Sequence, residues 1–169
     1  GYRRHAFHTS GQLTLFHRCR SEFGRSDFTV GYMAGGPNVF LECETHKSTD
    51  LSGSIGSWAS GMLFDNVHID GGRLGFDNLE IRYGGAGWAA ANSVMWQCSA
   101  SQIVCRSPEG ALNWAIGVWG QFYGRGRWQK SNEFVDPDSL YRTQLEERLG
   151  AAALKALEPA SYPDPTGDL

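Results

Sequence analysis

The sequence predicts an all-β chain: a right-handed parallel β-helix of about five windings with a C-terminal α-helical cap. Three observations lead there. Glycine contributes 22 of 169 residues and proline 6, so turns are frequent, while 6 tryptophans and 9 phenylalanines still need burial. Before Asp136 the apolar residues never hold the three-and-four spacing of a helix, because Gly, Asn, Ser or Asp interrupts almost every run. Four short segments can also be laid over one another: Leu15-Phe16-His17-Arg18-Cys19, Val39-Phe40-Leu41-Glu42-Cys43, Met62-Leu63-Phe64-Asp65-Asn66 and Val94-Met95-Trp96-Gln97-Cys98.

The steps between the last residues of these segments are 24, 23 and 32. Upstream of each lies a large apolar residue, Phe7, Phe28, Ile55 or Trp88, and Trp114 opens a fifth copy. Units holding two or three short strands and no helix suit one winding of a parallel solenoid. Corresponding strands then stack about 4.8 Å apart around a single core, with the right-handed sense of parallel crossovers. The longest step places an insertion around residues 71–87, where Asp70-Gly71-Gly72 and Tyr83-Gly84-Gly85 signal turns.

Period-two alternation assigns faces. Leu15, His17 and Cys19, with Val39, Leu41, Cys43, Met62, Phe64, Asn66, Val94, Trp96 and Cys98, are expected inside. The opposite face then carries Phe16, Arg18, Phe40, Glu42, Leu63, Asp65, Met95 and Gln97, half apolar and half polar, as a ligand-facing surface would be.

From Asp136 the pattern changes. Asp136 can cap, Pro137 suits a first helical turn, and Leu140, Leu145 and Leu149 recur until Gly150 offers a stop; a second helical piece follows at Ala151–Leu157. The expected organisation is windings over 1–135, a capping helix over 136–157 laid across the last open sheet edge, and an extended tail over 158–169. Nothing at the N-terminal side reads as a cap, so upstream windings of the same natural chain are the expected partner there.

With 15 Lys+Arg against 18 Asp+Glu and a net charge of −3, the chain lacks the basic excess that nucleic acid or an anionic membrane demands. No apolar run reaches the ~20 residues of a membrane span. P-loop, Rossmann, HExxH and Gly-x-Ser-x-Gly patterns are missing.

The recurring strand ending in Cys or Asn, the aromatic position and the repeat length resemble the right-handed parallel β-helix proteins of the pectate-lyase-like superfamily, over roughly Tyr2–Gly120. Gly56-Ser57-Trp58-Ala59-Ser60-Gly61, Ala91-Asn92-Ser93-Val94-Met95-Trp96 and Asn113-Trp114-Ala115-Ile116-Gly117 are similar to the C-terminal half of bacterial members. The resemblance implies a secreted protein whose partner is a polysaccharide or oligosaccharide, cleaved by β-elimination or glycoside hydrolysis. The Trp-Ile-Asp-His and Arg-x-Pro-x-x-Arg segments of pectate lyases are not in the chain, nor are the Gly-His-Gly and Arg-Ile-Lys segments of polygalacturonases. No catalytic residue is therefore carried over.

The residues themselves offer candidates. Stacked windings would set Arg18, Glu42, Asp65 and Gln97 about 5 Å apart in a row. Two carboxylates at that spacing share a proton, bind a cation such as calcium, or divide acid and nucleophile roles. Arg18 would neutralise Glu42, orient a sugar acid or serve as base; the plainer alternative is a cross-strand Arg18–Glu42 pair with Asp65 solvated. Phe16, Phe40 and Gln97 are expected to contact substrate. His46 and His68 fall just past strand ends, as general acid or base or as ordinary loop residues. His17 reads as a core histidine, and His5 and His8 as lying on opposite faces. Cys19, Cys43 and Cys98 share one ladder position with Asn66 and lack zinc spacing; free thiols are expected. Phe122-Tyr123-Gly124-Arg125-Gly126-Arg127-Trp128 interleaves aromatics with arginines and either stacks on a ligand ring or packs on the C-terminal helix. Of Trp58, Trp88, Trp96, Trp114 and Trp119 in the repeat region, most are expected as core or end-cap rings and not as a carbohydrate platform. Two readings result: a polysaccharide lyase or glycoside hydrolase, or a non-catalytic glycan- or protein-binding or structural module.

Overall fold

The computed structural model describes residues 5–158; nearly all of the expected extended tail lies outside them. The chain is mostly β, and the strands of its two large sheets run parallel. One sheet orders His5–Thr9, Ser26–Gly31, Leu51–Ile55, His68–Phe76, Ser99–Cys105 and Trp119–Tyr123, joined by Arg20–Glu22 and Glu44–His46. The other orders Arg127–Gln129, Trp114–Ile116, Val94–Trp96, Met62–Asp65, Asn38–Leu41 and Thr14–His17. In each, neighbours come from successive repeats, so residues some two dozen apart in sequence become adjacent: Phe16 faces Phe40, which faces Phe64, which faces Met95.

The register corrects the sequence alignment at one unit. Val39 pairs with Leu63, not Met62, and Leu63 pairs with Val94. The cysteine column is therefore Cys19, Cys43, Val67, Cys98, with Val118 next. Asn66 belongs one position earlier, beside Glu42 and Gln97. Because strand faces alternate every residue, a slip of one exchanges inside for outside.

The faces are also reversed in three of the four segments, while Met62 and Phe64 lie inside as expected. Phe16, Phe40, Phe64 and Met95 point into the core, with Phe40 and Phe64 at 0% exposure. Their rings stack: Phe16–Phe40 centroids lie 4.8 Å apart and Phe40–Phe64 4.9 Å. Burying each such ring stabilises by about 1.5–3 kcal/mol. The physical reason is a corner. Arg18, Glu42, Asn66 and Gln97 all have φ between 50 and 54°, the left-handed region, which turns the chain and resets alternation, so that both the residue two before and the residue one after point inward. The corner is held by a ladder of its own: the N–H of Arg18 donates to Leu41 O, Glu42 to Asp65 O, Asn66 to Trp96 O and Gln97 to Ile116 O, each at 2.9 Å.

Phe7 and Phe28 do share a column, but it continues through Ser52, Leu74, Ile103 and Phe122. Ile55 and Trp88 stand elsewhere, and Trp114 aligns with Val94. The insertion is shorter than expected. Residues 71–76 continue a parallel strand, and the extra chain is the antiparallel pair Asn78–Glu80 with Gly87–Trp88 around a short turn at Arg82–Gly84. Where Gly53 passes Gly75, a Cβ on Gly53 would lie 2.0 Å from Gly75 O at a φ of +140°, so only glycine permits that approach.

Helix α1 spans Leu140–Leu149, capped by Ser139 rather than Asp136, and Gly150 separates it from α2 at Ala151–Ala156. Contrary to expectation, α1 does not cover the last sheet edge. Its residues Tyr141, Gln144, Leu145, Arg148 and Leu149 face Leu13, Leu15, Pro37 and Val39, across the lateral face of the first repeats.

Candidate functional site

The outward side chains of the corner row do meet, but with helix α1 instead of solvent. Arg18 Nε donates to Glu42 Oε2 at 2.8 Å, and Arg142 Nε of α1 donates to Oε1 at 2.8 Å. His17 Nε2 lies 3.3 Å from Oε2, on the outer face and not in the core. Glu158 joins through Arg18 at 3.3 Å and Arg142 at 3.0 Å. Burial pushes the Glu42 carboxyl up, but hydrogen bonds from Arg142 and then Arg18 outweigh it and bring the pKa down to about 2. Asp65 stands one position out of this row, at 0% exposure. Its Oδ2 accepts from Ser139 Oγ at 2.8 Å and Tyr141 N at 2.7 Å, and its Oδ1 from Asn66 Nδ2 at 2.9 Å. That is a carboxylate set against a helix N-terminus. Burial nevertheless raises its pKa. Gln97 Nε2 and Asn66 Nδ2 both donate to Asp138 O, at 2.8 and 2.7 Å.

Each polar atom expected to do chemistry in that row thus carries a structural partner. Glu42 and Asp65 do not form a facing carboxylate pair, and neither offers calcium an uncommitted pair of oxygens. Among the described residues no group of three or more His, Cys, Asp or Glu could hold a metal ion. Phe16 and Phe40, expected to touch substrate, belong to the core instead.

One strand further along each repeat, the outer face is open. The register aligns Arg20, Glu44, His68, Ser99 and Trp119 in one row and Glu22 with His46 beside it. Inward-pointing Ser21, Thr45, Ile69 and Ala100 anchor the same strands. Arg20 pairs with Glu44 at 3.4 Å, His46 Nδ1 lies 3.8 Å from Asp70, and His68 Nδ1 meets Ser99 Oγ at 2.9 Å. At the far end Trp119, 36% exposed, packs on Phe134, 84% exposed, at 5.3 Å. Two adjoining clefts of ≈ 500 and ≈ 480 Å³ share His68 and Glu44. Four rungs at about 4.8 Å give a strip of about 19 Å.

Of the residues the sequence singled out, His46 and His68 therefore lie on this open strip. Trp119 and Ser99 were missed; their signal was the Ser99–Trp119 alignment, concealed by treating tryptophan as core material. Trp58, 47% exposed, departs from that expectation too. His5 and His8, expected apart, have rings 5.7 Å apart, and burial, then His5, lowers the His8 pKa. All four cysteines are free. A second cluster was invisible in sequence: Asp50 takes Arg25 at 3.1 Å, Arg73 at 2.7 Å and the Tyr83 hydroxyl at 2.7 Å, clamping the inserted turn to the first sheet.

Compared with protein-family models, with curated proteins and with solved structures, the chain matches none.

Proposed function

We propose that the chain is a right-handed parallel β-helix that binds polysaccharide, without cleaving it, along the open strip from Arg20 to Trp119. The observation that carries this reading is the row itself. Hydrogen-bonding side chains at Arg20, Glu44, His68 and Ser99 repeat at rung spacing and end on an exposed Trp119–Phe134 pair, the mix of planar donors and aromatic face that a chain of sugar rings needs. The commitment of Glu42 and Asp65 to helix α1 and its cap, and of Arg18 to Glu42 and Glu158, favours binding over lyase or hydrolase chemistry.

Titration calorimetry with neutral and uronic-acid oligosaccharides, alongside product analysis, tests it. Binding without products is expected. Trp119→Ala should weaken binding about tenfold, the scale of a lost aromatic anchor, and His68→Ala should weaken it less. Lack of affinity for every oligosaccharide, or binding indifferent to Trp119→Ala, would overturn the reading; released products that vanish in His68→Ala would replace it with the catalytic one.

A further inference from the structure

On a different face, we propose that the cleft of Trp88, Arg106, Ser107 and Arg125 binds a tetrahedral oxyanion, a sulfate or phosphate ester whose ring lies against the indole. The register that sets Phe76 beside Cys105 brings Asp77 beside Arg106, and the turn over 124–126, tied to the preceding repeat by Gly126 N donating to Cys105 O at 2.7 Å, places Arg125 in the same cleft as Arg106. Asp77, 8% exposed, holds Arg106 through Oδ1 and Nη1 at 3.2 Å, and the same Oδ1 accepts Asn78 N at 2.7 Å. Arg125 forms neither an ion pair nor a hydrogen bond among the described residues. Two guanidiniums therefore line the cleft, and only that of Arg106 has a carboxylate. Like charges lining one cleft repel, and an anion between them removes that repulsion.

The backbone is shaped for this exposure. A Cβ on Gly124, whose φ is +102°, would lie 2.4 Å from Cys105 O, and one on Gly126 would lie 2.4 Å from Cys105 Sγ. The two glycines let the turn close onto Cys105, leaving Arg125 as its one side chain. Ser107 Oγ accepts Asn113 N at 2.9 Å and keeps its own proton to donate. Three donor residues suit three terminal oxygens better than the two of a carboxylate. The cleft, ≈ 460 Å³, has room for a substituted sugar ring beside half-buried Trp88. The sequence stretch around Arg125 was legible as aromatic and basic, but its partners Trp88 and Arg106 come from earlier repeats.

Titration calorimetry of the whole chain with glucose 6-sulfate, glucose 6-phosphate, glucuronate, glucose and inorganic sulfate tests the site. Both esters are expected to bind and glucose is not; the tighter ester names the source. Arg125→Ala should weaken ester binding about tenfold, Arg125→Lys should recover part of it, and Trp88→Ala should weaken the esters while sparing inorganic sulfate. Unaltered thermal melting of Arg125→Ala would establish that the fold is kept. Esters binding no better than glucose, glucuronate binding as well as the esters, or Arg125→Ala binding as the parent does would overturn the proposal. Those outcomes leave the Arg20–Trp119 strip untouched, since none of its residues takes part.

Discussion

Glu42 is the residue on which the most constraints meet. It occupies a left-handed corner, donates its N–H to the next repeat, and gives both carboxylate oxygens to cations from different segments. Its pKa falls from an ordinary 4.5 to about 2, so the ionised form is favoured by folding. The stabilisation is complete above pH 4.5 and is lost as pH falls through the folded value near 2. Asp65, whose pKa is raised by burial, acts in the opposite sense. Glu42→Gln should therefore lower neutral-pH stability by about 1 kcal/mol, a figure kept small by solvent screening of the half-buried group. It should also flatten the acid limb of the stability profile. Urea unfolding from pH 7 to pH 2.5 checks both; an acid limb identical to the parent would show that Glu42 is not the titrating lock.

At the scale of elements, helix α1 is held by polar anchors more than by a buried stripe. It has no buried residue of its own, and a gap of ≈ 210 Å³ separates its later turns from Leu15 and Val39. Its first turn is pinned by Asp65 and by Ser139, whose side chain accepts from Arg142 N at 3.2 Å. Ser139→Ala should cost about 1 kcal/mol, and Asp65→Asn should release the helix start. Hydrogen exchange reads this directly: amides of 140–149 should lose protection in either variant while the Asn38–Leu41 and Met62–Asp65 strands keep theirs. Equal loss in strands and helix would mean that α1 is integral to the core. The leucine spacing made the helix and its Gly150 stop legible. Its true cap and its resting place were not, because both depend on Asp65 and Glu42, which lie far away in sequence.

For the whole molecule, the repeat was readable because Phe16 and Phe40 share the 24-residue step of Cys19 and Cys43, and Cys98 ends a further copy of the same segment. Its phase at Met62 was not, because Val67 replaces the cysteine and leaves Asn66 as a false match. Faces were misread because alternation assumes a straight strand, and a left-handed residue at Arg18, Glu42, Asn66 or Gln97 carries no unambiguous signature unless it is Asn or Gly. The open strip escaped notice because it combines single residues from five repeats. The most direct test is nuclear Overhauser spectroscopy on the labelled chain, asking which side chains touch across repeats. Ring-to-ring contacts running Phe16 to Phe40 to Phe64, with Cys43 near Val67, are the expected result. Phe40 against Leu63 with Phe64 turned outward, or Cys43 against Asn66, would contradict the register on which the core, the helix lock and both binding faces rest.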